Sequence, residues 1–150
     1  MSMIARGFAV ALIAFSGCGV AAAQQRGGAE LAPVVAWAQK STQTATVDGR
    51  VARALGLNTT GQPVQLKAVT TAFMGGSRSV HLVPNGEILF SQGQARTGTW
   101  IVTNASGAML RAVEWVATSA NPVPANPATV GPLFTETKAF WKAQLGTPVR

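Results

Sequence analysis

The sequence predicts an α+β fold, a five-stranded antiparallel, meander-like sheet flanked by N- and C-terminal helices. Three observations carry this reading. Apolar residues recur at helical spacing over residues 30–41 and again over 133–146. Residues 64–116 instead alternate with a period of two, and the runs are separated by turn-forming PNG, QGQAR and NASG. Turns that short join neighbours in an antiparallel sheet. A small β-barrel or sandwich is the alternative, since residues 46–57 can supply a further strand.

The N-terminus stands apart from this domain. MSMIARGFAVALIAFSGCGVAAAQ carries one basic residue, Arg6, an apolar run over residues 8–15, and small residues up to Ala23. That is the layout of a secretory signal, too short for a membrane span, with cleavage expected after Ala23. Residues 24–150 then form a single exported domain, periplasmic or secreted. Phe15-Ser16-Gly17-Cys18 resembles a bacterial lipobox, and the resemblance implies a lipid anchor on Cys18 as the alternative. Cys18 is also the only cysteine, so the exported domain has no disulfide and relies on its packing.

Removal of Arg6 with the leader lowers the formal charge from +7 to +6. This sign favours an anionic or amphipathic small molecule, or an acidic envelope protein, as partner. The Lys and Arg residues are dispersed, however, and no run of them tracks a phosphate backbone, so nucleic acid is not an expected partner.

In chain order, residues 24–29 read as a leader. Residues 30–41 place Leu31, Val34, Val35 and Ala38 on one helical face, with Pro33 in the first turn. Residues 41–63 admit either a helical turn around Val51, Ala54 and Leu55 or a loop with a short strand. Strands are expected in VQLKAVTTAFM, SRSVHLV, EILFS, TGTWIVT and AMLRAVEWV. Residues 117–132 hold four prolines and are expected to run extended across the surface. The final helix, over 133–146, aligns Leu133, Phe134, Thr137, Phe140, Trp141 and Leu145, with Gly146 at its end.

The only histidine, His81, lies three residues ahead of Pro84-Asn85-Gly86. Pro84 disfavours a two-residue Asn-Gly hairpin. A type I turn with Gly86 left-handed as a bulge accommodates all three residues. Val83 then pairs with Glu87, Leu82 with Ile88, His81 with Leu89 and Val80 with Phe90. Val80, Leu82, Ile88 and Phe90 share an apolar face, and His81 lies on the other face with Ser79, Val83, Glu87, Leu89 and Ser91. Glu87 is a diagonal neighbour of His81, which makes the pair a candidate acid–base or proton-responsive unit; the plain alternative is a solvent-facing histidine.

Little else carries chemistry. No serine lies in Gly-x-Ser-x-Gly, no phosphate-binding glycine pattern is present, and the exported domain offers one His, one Asp and four separated Glu. No catalytic set, metal site or cofactor is therefore expected. Trp100 and Trp115 lie in the last two strands. With Asn104 opposite Ala108, Trp100, Val102, Leu110 and Ala112 share one face, and Ile101, Arg111, Val113 and Trp115 the other. Gly98-Thr99-Trp100 resembles the Gly-x-Trp of lipocalin-type barrels, which implies a ligand-holding barrel, although three expected strands precede it here.

These readings converge on a non-enzymatic bacterial envelope protein that binds a small anionic or amphipathic ligand, or a protein partner, through His81, Glu87, Arg111 and Trp115. A structural or accessory subunit of an envelope or extracellular complex is the second class, and a hydrolase using His81 the third.

Overall fold

The computed structural model describes residues 30–94 and 96–149. The expected signal segment and Cys18 lie outside these residues. Helix α1 (Ala32–Ala38), strand β1 (Thr44–Val47) and helix α2 (Gly49–Ala54) precede the long β2 (Val64–Phe73). Then come β3 (Gly76–Leu82), β4 (Ile88–Gln94), β5 (Thr97–Thr103), β6 (Met109–Trp115), the two-residue β7 (Val123–Pro124) and α3 (Pro127–Ala143). Every strand pairs antiparallel with the next, in the order β1 to β7.

The α+β class and the meander agree with the expectation, but the sheet has seven strands rather than five. The additional strands, β1 and β7, are four and two residues long and sit in Thr- and Pro-rich sequence whose alternation is too short to read. The sheet is open, ending at β1 and β7. Neither the barrel and sandwich alternatives nor the barrel implied by Gly98-Thr99-Trp100 is realised.

The PNG hairpin forms in the expected register: Val80 faces Phe90, His81 faces Leu89 and Leu82 faces Ile88. Val83 N–H donates to Glu87 O at 3.0 Å, and Gly86 adopts φ +93°. The β5–β6 hairpin departs from expectation. Asn104 does lie opposite Ala108, and Thr103 pairs with Met109, but Val102 pairs with Arg111. Leu110 is thus the extra residue of a β-bulge. Beyond it every β6 side chain changes face, so Arg111, Val113 and Trp115 join Trp100 and Val102, while Ala112 joins Ile101.

Both faces of the sheet are covered. On one, Val80, Ile88, Phe90 and Ile101 pack against Leu31, Val34 and Trp37 of the α1 segment and against Val130, Phe134 and Trp141 of α3. On the other, Leu66, Leu89, Val102, Val113 and Trp115 pack against Val47, Val51, Ala52 and Leu55. Helix α2 is therefore what hides the second face. Asp48 caps it, accepting from Arg50 N–H at 2.8 Å.

The Pro-rich segment is only partly extended. Asn126 accepts from Ala128 N–H and caps α3, and Pro127 occupies its first position, where a missing N–H costs nothing. Pro132 inside the helix removes one donor. Gly131 before it lacks the Cβ that would clash with the proline ring. Glu30 ties the segment just before α1 to this helix through Lys142 at 2.8 Å and Lys138 at 3.3 Å.

Candidate functional site

Beneath β1 and the start of α2, the second face of the sheet changes from apolar to hydroxylated. Register rows stack Ala68, His81 and Leu89, then Thr70, Ser79 and Ser91, then Ala72, Ser77 and Gly93. Small side chains in the last two rows leave a cavity of about 280 Å³, lined by His81 with Thr70, Ser77, Ser79, Ser91 and Asp48 among others. Thr70 and Ser79 bond to each other through their hydroxyls at 2.8 Å.

His81 is 3% exposed, not solvent-facing as the plain sequence reading has it. The difference arises because α2 and β1 cover this face. Its Nδ1 lies 2.9 Å from Leu89 O. A carbonyl only accepts, so Nδ1 carries the proton and Nε2 is the acceptor. Burial pushes the imidazole pKa below 6.5, and the Leu89 hydrogen bond opposes this more weakly. A neutral imidazole with a fixed tautomer results, lining a cavity of hydroxyls.

Among the described residues, the hydrogen bonding of this ring differs from that of a triad base. A triad base needs a hydroxyl on one ring nitrogen and an orienting group, usually a carboxylate, on the other. Here a backbone carbonyl holds Nδ1, and among the described residues no hydroxyl bonds to the ring. Asp48, the acidic residue of the cavity lining, caps α2.

The other expected site residues lie elsewhere. Glu87 does not meet His81; it accepts from Arg111 at 2.7 Å, and that bond, opposed by partial burial, lowers its pKa. Arg111 also donates through Nε to Leu55 O at 2.7 Å, stitching the PNG hairpin, β6 and α2 together. Trp115 is buried, donates to Ser119 O at 3.0 Å, and has the Arg96 and Arg50 guanidinium groups 5.5 and 5.9 Å from its ring centre. The structure thus brings Glu87 and Arg111 together and leaves His81 and Trp115 at separate places on the same face.

In the sequence the hairpin register sets Ser79 and Ser91 on the face of His81 without marking them, or Ser77, as site residues. The signal that finds them is period two: Ser77-x-Ser79-x-His81 on one strand with Ser91 opposite puts four polar groups on one face. Among the described residues no three His, Cys, Asp or Glu side chains are grouped so as to hold a metal ion. No helix among them is long and apolar enough to cross a membrane. Comparison of the chain with protein-family models, curated proteins and solved structures finds no match.

Proposed function

We propose that the chain is a non-enzymatic, exported binding protein of the bacterial envelope, whose ligand occupies the Ser/Thr/His cavity. The observation that carries this reading is His81: buried, neutral, fixed in one tautomer, and set beside hydroxyls in the lining of one cavity. Such a lining recognises a small uncharged molecule rich in hydroxyl or amide groups, and a cavity of about 280 Å³ is at the small end of ligand sites. The net positive charge acts at longer range and supports residence near an anionic envelope surface. Arg111 and Trp115 support an anionic ligand less well, because each already has partners within the chain.

Ligand-observed NMR with a panel of small polyols, sugars and amides tests this. The expected outcome is binding by one class, weakened about fivefold by His81→Gln and about thirtyfold by the double variant Ser79→Ala/Ser91→Ala, since each lost hydrogen bond costs on the order of 1 kcal/mol. Arg111→Ala should leave it unchanged. Loss of binding in Arg111→Ala alone would move the site along the same face to the Glu87–Arg111 pair. Export is checked by the mature N-terminus, expected at Gln24; a diacylglyceryl group on Cys18 would establish the anchored form instead.

A further inference from the structure

Strand β2 is ten residues long, but β1 pairs only with its first four, from Val64 to Lys67. Ala68 is still tied down, its N–H by Gln43 O at 3.1 Å and its carbonyl by the Ser41 hydroxyl at 2.7 Å. Beyond it the edge is open among the described residues. Backbone groups alternate between the two sides of a strand, so Ala68 facing outward means that Thr70 and Ala72 also point their N–H and C=O outward. Among the described residues, none of these four groups has a backbone partner.

Among the described residues the other edges are short, flanked by proline or, where β6 runs past β7 at Met109–Ala112, interrupted by the Leu110 bulge and charged at Arg111. β7 is two residues long and lies among Pro122, Pro124 and Pro127, while β1 is four residues long. Residues 68–76, AVTTAFMGG, contain no charge and no proline. On the helix side of the open edge runs a groove of about 490 Å³, lined by Trp37, Val69, Thr71, Trp141, Thr147 and Pro148 among others.

We infer that this edge pairs with the same edge of a second copy of the chain, joining two sheets into one across a twofold axis. The edge is self-complementary. With Thr71 on the axis, Thr70 exchanges both backbone bonds with the partner's Ala72, and Ala72 with the partner's Thr70, making four hydrogen bonds in all. Thr71 then faces its own copy in a favourable Thr–Thr pair, and Phe73 faces the partner's Val69 in an aromatic–aliphatic pair formed twice. Absence of charge matters here, because a positively charged chain can approach its own copy closely only along an uncharged strip. The tie between Ala68 and Gln43 at one end and the β2–β3 turn at the other confine pairing to residues 69–73.

Sedimentation velocity of the full chain recovered from an envelope fraction, over about 1–100 µM, tests the inference. A reversible dimer is expected. Ala72→Pro removes one outward N–H and leaves the β3 ladder intact, and Thr71→Lys places two ammonium groups on the axis. Each should raise the dissociation constant about tenfold or more, with unchanged far-ultraviolet circular dichroism. Thr71→Cys should cross-link the dimer under oxidation, whereas Gln65→Cys, on the portion of β2 covered by β1, should behave as wild type. A chain monomeric throughout, with Thr71→Cys remaining uncross-linked, overturns the inference. So does a dimer indifferent to Ala72→Pro and Thr71→Lys, or a monomer whose edge is filled by an extended peptide of another protein.

Discussion

Arg78 shows how a charge is kept inside this molecule. Its guanidinium lies 3.8 Å from the ring centre of Phe73 and 4.3 Å from that of Phe140, and it donates to Glu136 at 2.8 Å. The residue is 5% exposed, whereas Glu136 is largely in solvent. The rings and the methylene stem, more than the ion pair, hold it there. Arg78→Lys is therefore expected to cost about 1–3 kcal/mol in urea unfolding, and Glu136→Gln below about 1 kcal/mol. His81 makes the complementary case. Its pKa is lowered in the folded state, so the unfolded chain takes up a proton below pH 6.5 that the folded chain refuses. Stability should fall as the pH drops below 6.5, by up to about 1.4 kcal/mol per unit, and His81→Asn should flatten that slope. Glu30 and Glu87, whose pKa values are lowered by their Lys and Arg partners, lose their contribution only below about pH 4.5, so the two effects separate on the pH axis.

At the scale of elements, caps and close approaches set the boundaries. Asn126→Ala should destabilise the protein by about 0.5–2 kcal/mol, because the side-chain acceptor at the start of α3 is lost. Gly49 at the start of α2 admits no side chain, since a Cβ there would come within 1.9 Å of Gly61 O. Gly49→Ala is expected to cost about 1–3 kcal/mol as that backbone is pushed aside, readable as a lower thermal midpoint. These features also mark what the sequence reveals. The PNG hairpin is legible to the residue because Pro84 has a fixed φ and Gly86 supplies the left-handed conformation that the following position requires. The five long strands were legible from alternation, and the body of α3 from its stripe of Phe134, Thr137 and Trp141. The start of α3 was not, since Asn126-Pro127 signals an N-cap as well as a break, and four prolines close together weigh toward the break. The bulge at Leu110 was not either, because an Asn-Ala-Ser-Gly turn accommodates both registers. With the bulge went the face of Arg111 and Trp115. The burial of His81 escaped detection for a related reason: α2 is six residues long, and only its placement against the sheet reveals that it covers anything.

For the whole molecule, the sheet is a partition between two cores of similar character. Leu89 and Phe90 are adjacent in sequence and both fully buried, on opposite sides, as are Ile101 and Val102. Leu89→Ala and Phe134→Ala should each cost about 2–5 kcal/mol. Their effects should add to within about 0.5 kcal/mol in the double variant, because the two side chains belong to different clusters. The same adjacency bears on how the chain finds this structure. In most half-buried sheets a one-residue slip throws apolar side chains into water, and that penalty alone selects the register. Here a slip of β4 against its neighbours exchanges Phe90 for Leu89, one apolar residue for another, and only the replacement of Ile88 by Ser91 or Glu87 registers the error in apolar terms, so hydrophobicity distinguishes the two pairings less sharply. Selection passes to groups with exact requirements: the left-handed Gly86, the Nδ1–H of His81 that needs the Leu89 carbonyl, and the guanidinium of Arg78 that needs its two rings. Weakening that turn should therefore produce a mixture of slipped hairpins in slow exchange, a ruggedness of the folding landscape more than a uniform loss of stability.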